Sequence, residues 1–309
     1  MAANLVGPNE SRCMTGLPRK LGLAAAMSPV LGPPGLGPPS PGVHPSAIIE
    51  PGAQLGVGVE IGPWCHVGPA VTIGDGARLV SHVVVDGGTH IGEGAMLYPF
   101  CTVGLAPQDL KYKGEATRCT IGARTQVREH CTIHRGTVTG SGVTQVGADC
   151  LLMAVVHVAH DCEIGDGVVI ANNVVMGGHV SIGAGAVIGG AAALHQFVRI
   201  GRGAMVGGVS GVEADVIPFG SVIGNRARLS GLNVIGLRRR GVDRAGLHTL
   251  RAAMRRLFGT VGVFSARLAD VRGAYDGDPF VAEILAFIDA PSKRGLIRTA
   301  VGAMEEDAP

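Results

Sequence analysis

The 309 residues carry a net charge of +2, with 46% hydrophobic and 4% aromatic side chains and 50 glycines. The hydrophobic fraction excludes a disordered chain, the small net charge gives no strong pull toward nucleic acid, and no charge-free run of 18 apolar residues exists to cross a membrane. A chain short of large aromatics and rich in the entropically costly glycine points to a repetitive architecture.

Residues 1–42 mix Arg12, Arg19 and Lys20 with a Pro/Gly-rich stretch from Pro29 to Pro41 and show no periodicity or long apolar run. We expect a disordered extension and a cytoplasmic protein. An organellar transit peptide is the alternative, because Glu10 is the only acid of this basic segment. Seven cysteines without a Cys-x-x-Cys pair fit a reducing compartment and argue against a disulfide framework or a thiolate zinc site.

From 43 to 235 a six-residue period organises the chain. Every sixth residue from Ile49 through Leu55, Ile61, Val67 and Ile73 to Val103 is aliphatic, and the residue two positions earlier (Ala47, Ala53, Val59, Cys65, Val71) is small. The phase resumes at Ile121, Val127 and Ile133, then runs from Val146 to Val212. Neither a helix nor a simple strand has this period, but a short strand plus a turn does, and three such units close a triangular coil of a parallel β-solenoid. Cys65, Cys101, Cys119, Cys131, Cys150 and Cys162 all take the small inward position and read as compact core residues. Glycine commonly follows the aliphatic, as at Gly56, Gly62, Gly68 and Gly74, where it is expected to permit a tight turn. The period leaves the handedness of the coil open.

Two interruptions, 105–118 and 135–145, are expected to leave the coil as loops. The first carries Gln108-Asp109-Leu110-Lys111-Tyr112 and is a site candidate; the second is rich in Gly and Thr. From 236 to 309 the pattern turns helical: Leu247, Leu250, Met254 and Leu257 recur behind Asp243 as a cap, and further helices fit Val263 to Arg272 and Pro279 to Asp289. Between Arg226 and Arg298 stand fourteen Lys/Arg against six Asp/Glu, so the basic charge is concentrated here.

In His157-Val158-Ala159-His160-Asp161-Cys162 the inward residue is Val158, which leaves His157 and His160 available to solvent or a partner. His179 lies nineteen residues after His160, close to one eighteen-residue coil, so the two histidines are expected on adjacent coils. A zinc site on the His-x-x-His pair is an alternative of unspecific spacing, and no metal is expected.

The strings Ser81-His82-Val83-Val84-Val85, Gln108 to Tyr112, Thr132-Ile133-His134-Arg135-Gly136-Thr137, Leu151-Leu152-Met153, His157 to Cys162, Gly178-His179-Val180, His195-Gln196-Phe197 and Arg239-Arg240-Gly241 resemble, in order from His44 to about Arg298, the UDP-N-acetylglucosamine O-acyltransferases of lipid A biosynthesis. The resemblance implies a left-handed parallel β-helix followed by a small helical domain, assembled as a homotrimer. It implies transfer of a 3-hydroxyacyl chain from acyl carrier protein to the glucosamine 3-hydroxyl of UDP-N-acetylglucosamine. His160 would be the general base, Asp161 its orienting carboxylate, and the Gly178 N–H the donor to the oxyanion. Gln108, Asp109 and Lys111 would bind at the sugar end, with His157, His179 and Gln196 lining a cleft between subunits. Asn233, Arg239 and Arg240 match the nucleotide end, where guanidinium forks suit pyrophosphate oxygens. Gly208 matches a position that floors the acyl groove, and its lack of a side chain implies a long donor. No cofactor is implied beyond the phosphopantetheine thioester of the carrier protein, an acidic partner expected to dock on the basic helices with salt-sensitive affinity. The chain departs from the family at Arg226 and Ile235, which puts contacts to uridine in doubt.

Three rivals share parts of this pattern. The N-acyltransferase of later lipid A assembly carries an additional N-terminal uridine-binding domain, which the Pro/Gly-rich segment before the coil is not expected to form. A coenzyme A-dependent acetyltransferase leaves the C-terminal helices unexplained, and a non-enzymatic solenoid leaves the histidine segment unexplained.

Overall fold

A computed structural model describes residues 42–299; most of the expected extension and residues 300–309 of the expected helical region lie outside the described residues. Each hexad contributes a two-residue strand in which an outward residue precedes the inward aliphatic, as in His66–Val67, Val84–Val85 and Val169–Ile170. Strands this short do not stand alone. They persist because each pairs in register with the next coil, His66 with Val84 and Val67 with Val85.

Three sheets result. Sheet 1 has nine strands, from Ile48–Ile49 to Gly211–Val212; sheet 2 has eight, from Gln54–Leu55 to Arg199–Ile200. Sheet 3 has ten, from Glu60–Ile61 to Arg228–Leu232, and closes on one antiparallel pair. The chain visits them in turn, forming a left-handed parallel β-helix of triangular section. Its edges are named below by the sheets they join: 1–2, 2–3 and 3–1.

Every aliphatic hexad member from Ile61 to Val212 is buried, as is the small residue two positions before it. Burying each such Ile, Leu or Val contributes roughly 1.5–3 kcal/mol, so the core is a column rather than a globule. The six cysteines on this phase are free and buried.

Of the glycines that follow the aliphatic, Gly104 takes the expected left-handed turn (φ +77°), but Gly56, Gly62, Gly68 and Gly74 have a different cause. Gly62 does not take a left-handed φ; a β-carbon there would lie 1.7 Å from the Val80 carbonyl oxygen of the next coil. Close stacking of backbones, not turn geometry, excludes a side chain. The left-handed turns fall at other positions, many of them non-glycine, including Trp64, Asp161, His179 and Phe197.

The first loop leaves the coil after Leu105 and returns at Arg118, as expected. The second is shorter than expected, ending at Gly142, because Val143–Val146 pairs residue for residue with Arg118–Ile121 and Thr144 takes the small inward position.

Helix α1 (Val234–Arg239) starts two residues before the expected boundary at 236, because the Asn233 side chain accepts from the Gly236 N–H. In α2 (Arg244–Leu257) the Asp243 carboxylate caps the Gly246 N–H, and Leu247, Leu250, Met254 and Leu257 are buried. Helix α3 (Phe264–Ala274) is displaced from the expected 263–272, since Val263 has no side chain to cap with and stays extended. Helix α4 (Pro279–Asp289) has the expected bounds and docks on the coil through Glu283, which accepts from Arg202 Nε at 2.8 Å, and through Phe280 against Phe219. Past α4 the chain returns to the coil as a strap, in which the Gly295 carbonyl accepts from the Asp215 N–H at 2.8 Å and the Arg298 carbonyl from the Leu229 N–H at 3.0 Å. No helix among the described residues is long and apolar enough to cross a membrane.

Candidate active site

The segment His157 to Cys162 turns the 1–2 edge. Val158 and Cys162 fill the core, which leaves His160 and Asp161 at the turn, Asp161 with φ +58°. The Asp161 carboxylate is fully buried and accepts from five donors: the Thr137 N–H (3.1 Å) and hydroxyl (2.7 Å), the Ser141 hydroxyl (3.2 Å), the Gly142 N–H (3.1 Å) and His160 Nδ1 (2.8 Å). Burial alone would raise its pKa, but the hydrogen bonds from Thr137 and His160 outweigh it and hold the group below the usual carboxylate range. One ionised side chain thus grips the second loop and the imidazole together. Gly140 is required nearby, since a β-carbon there would lie 2.3 Å from the carboxylate carbon.

The next two coils add rings to the same edge. His179 meets His160 edge-on at 5.0 Å, and Phe197 stacks on His179 at 4.5 Å. Burial lowers the pKa of His179, with His160 adding to the effect and Asp161 opposing it. A β-carbon on Gly178 would lie 2.5 Å from His160 Cε1, so only glycine lets the imidazole occupy its place. The Gly178 N–H makes no hydrogen bond to the described residues, nor does His160 Nε2.

A cavity of about 780 Å³ opens in front of this edge and brings together Gln108, Asp109, Lys111, His160, His179 and Gln196. The first loop is held over it by Arg135, whose Nε donates to the Tyr112 hydroxyl at 2.9 Å and whose Nη1 donates to the Gly104 carbonyl at 3.1 Å. Thr139, Gly140 and Ser141 of the second loop, with Phe197 and Lys293, complete the walls and were not singled out from the sequence as site residues.

Donor atoms of His160, Asp161 and His179 lie within 4.8 Å of one another, close enough to consider a cation. The chemistry of the set disfavours one. Both oxygens of Asp161 are already committed to the donors above, and metal binding would strip those hydrogen bonds from a buried charge.

A family model described as UDP N-acetylglucosamine O-acyltransferase, domain 2, matches residues 215–297, and a six-repeat bacterial transferase hexapeptide model matches 144–178. A protein of Caulobacter vibrioides named acyl-(acyl-carrier-protein) UDP-N-acetylglucosamine O-acyltransferase is 54% identical over 254 residues, which are 82% of this chain and 97% of that protein. The chain belongs to this O-acyltransferase family. A second relative of the same name, from Azorhizobium caulinodans, is 48% identical over 77% of this chain and 88% of its own length. The crystal structure of a UDP-N-acetylglucosamine O-acyltransferase from Moraxella catarrhalis is 41% identical and superposes with a TM-score of 0.80, covering 83% of this chain and 99% of that one.

The remaining residues matched to the O-acyltransferase family lie elsewhere on the single chain. Asn233 and Arg240 stand at the 2–3 edge, where Asn233 Nδ2 donates to the Gly203 carbonyl at 2.9 Å and Arg240 Nη2 to that of Gly185 at 2.9 Å. Arg239 closes α1 beside them. Gly208 lies at the 3–1 edge, above Gly190, and is not part of the cavity wall. His157 is next to the cavity rather than in it: Thr132 Oγ1 lies 2.7 Å from its Nδ1, and its ring meets that of buried His134 edge-on at 5.0 Å. The period of eighteen is the signal that sorts these groups, since His160, Gly178 and Gln196 are spaced by it and Asn233 and Gly208 are not.

Proposed function

We propose that this O-acyltransferase moves a 3-hydroxyacyl chain from acyl carrier protein to the glucosamine 3-hydroxyl of UDP-N-acetylglucosamine, the first step of lipid A biosynthesis. The observation that carries the mechanism is the 2.8 Å contact of His160 Nδ1 with buried Asp161, which directs the Nε2 lone pair away from the carboxylate. Nε2 takes the proton of the sugar hydroxyl as its oxygen attacks the thioester carbonyl. Asp161 stabilises the imidazolium formed, and the unengaged N–H of Gly178, beside the ring, donates to the oxyanion of the tetrahedral intermediate. Collapse of the intermediate breaks the carbon–sulfur bond, and the imidazolium returns the proton to the departing phosphopantetheine thiolate. No cofactor or metal takes part.

The separation of the three edges supports a homotrimer in which neighbouring copies bring Asn233, Arg239, Arg240 and Gly208 to the His160 edge. We place the reaction in the cytoplasm, where its two phosphorylated substrates are made. Incubating purified protein with UDP-N-acetylglucosamine and a panel of 3-hydroxyacyl carrier proteins, then weighing the product, tests this reading. We expect one hydroxyacyl group in ester linkage to the sugar; a sugar left unacylated with every donor, or acylated only when it carries an amine, contradicts it.

A further inference from the structure

Lys293 has no part in the chemistry above, yet it forms part of the cavity wall. It stands in the strap after α4, which is pinned beside it: Arg294 Nε donates to the Gln196 carbonyl at 2.9 Å, Arg294 Nη2 lies 2.7 Å from His195 Nε2, and Gly295 is bonded to Asp215. The Lys293 ammonium is 4.1 Å from the centre of the Phe197 ring, the outermost member of the Phe197, His179, His160 series. Among the described residues no carboxylate forms an ion pair with it. Among the described residues Lys111, on the same cavity, has no ion-pair partner either, and Asp109 is the one acid that lines the cavity. An anchored strap thus presents an unneutralised cation to a cavity short of negative charge.

We infer that Lys293 is a phosphate-binding residue of this site, reaching from the cavity rim to a phosphate of one of the two substrates. The inference rests on the proposed reaction, in which both substrates carry phosphate: the acceptor as a diphosphate, the donor on its pantetheine arm. An ammonium on a flexible stem suits this role, since it meets phosphate as a point charge without a fixed fork geometry. The aromatic face holds it ready without cancelling its charge.

Calorimetric titration of wild type, Lys293→Gln and Lys293→Arg with UDP-N-acetylglucosamine, 3-hydroxyacyl phosphopantetheine and dephosphorylated 3-hydroxyacyl pantetheine decides the matter. Because binding is read, the result is independent of turnover: failure of the proposed reaction shows as a missing product in the mass assay, failure of this inference as unchanged Kd values here. Lys293→Gln should weaken one phosphate ligand by on the order of tenfold, about 1.4 kcal/mol, with Lys293→Arg close to wild type and the dephosphorylated ligand unaffected. Loss confined to UDP-N-acetylglucosamine assigns the contact to the acceptor diphosphate; loss confined to the phosphopantetheine ligand assigns it to the donor. Both Kd values within about twofold of wild type in Lys293→Gln overturn the inference, as does equal loss for the dephosphorylated ligand or a wild type that binds neither phosphate ligand.

Discussion

Asp161 and His134 show two ways of keeping an ionisable side chain inside a coil. Asp161 stays charged because five donors surround it. His134 stays neutral: it is 7% exposed, and burial, reinforced by His157 and His160, pushes its pKa down to about 4. An unfolded histidine titrates near 6.5, so between about 6.5 and about 4 the unfolded chain binds the extra proton. Stability from this residue is therefore fully present above pH 6.5 and is lost as pH falls toward 4, by on the order of 3 kcal/mol. Melting temperature should be level above pH 6.5 and fall below it, with a shallower fall in His134→Gln; an equally steep fall in that variant would place the acid sensitivity elsewhere. The meeting of His160 and His179 at one edge was legible because their separation is close to one eighteen-residue coil. The grip of Asp161 on Thr137, Ser141 and Gly142 was not, since those donors sit about twenty residues away in a stretch whose composition signals only a loop.

Short strands in this molecule are readable from the hexad because buried inward residues alternate between aliphatic and small from Ile61 to Val212, outside the two loops. What composition could not reveal is why a glycine is present: Gly62 answers to a neighbouring carbonyl, whereas Gly167 and Gly185 take left-handed turns, and the letter is the same. Gly208 belongs to neither class. Its β-carbon position meets only the Gly190 backbone among the described residues, the carbonyl oxygen at 3.2 Å and the nitrogen at 3.8 Å, a tight contact that small backbone shifts can relieve. Larger side chains there would project into space that we assign to the distal end of the acyl chain, and each methylene denied burial costs about 0.8 kcal/mol. In a competition assay Gly208→Met should move the donor preference toward shorter hydroxyacyl chains with UDP-N-acetylglucosamine affinity retained. An unchanged donor ranking would show that the groove ends elsewhere.

Across the whole molecule the three edges divide the labour. The 1–2 edge holds His160, the base we propose, with Gln108, Asp109 and Lys111, the 2–3 edge Asn233 and Arg240, and the 3–1 edge Gly208. Motif order along the chain gave no view of this segregation, which follows from position within each eighteen-residue coil rather than from residue type. In the reading we propose, the segregation is why the activity would depend on an assembly of chains. The account turns on one atom, His160 Nε2. Its most direct test is the rate of hydroxyacyl transfer to UDP-N-acetylglucosamine by His160→Ala beside wild type, with oligomer mass and melting temperature measured on both. His160 lies off the inward positions, so oligomer mass should be unchanged and melting should fall only by the loss of one of the five donors to Asp161, while the rate falls on the order of 100-fold or more; a variant that turns over near the wild-type rate contradicts the mechanism.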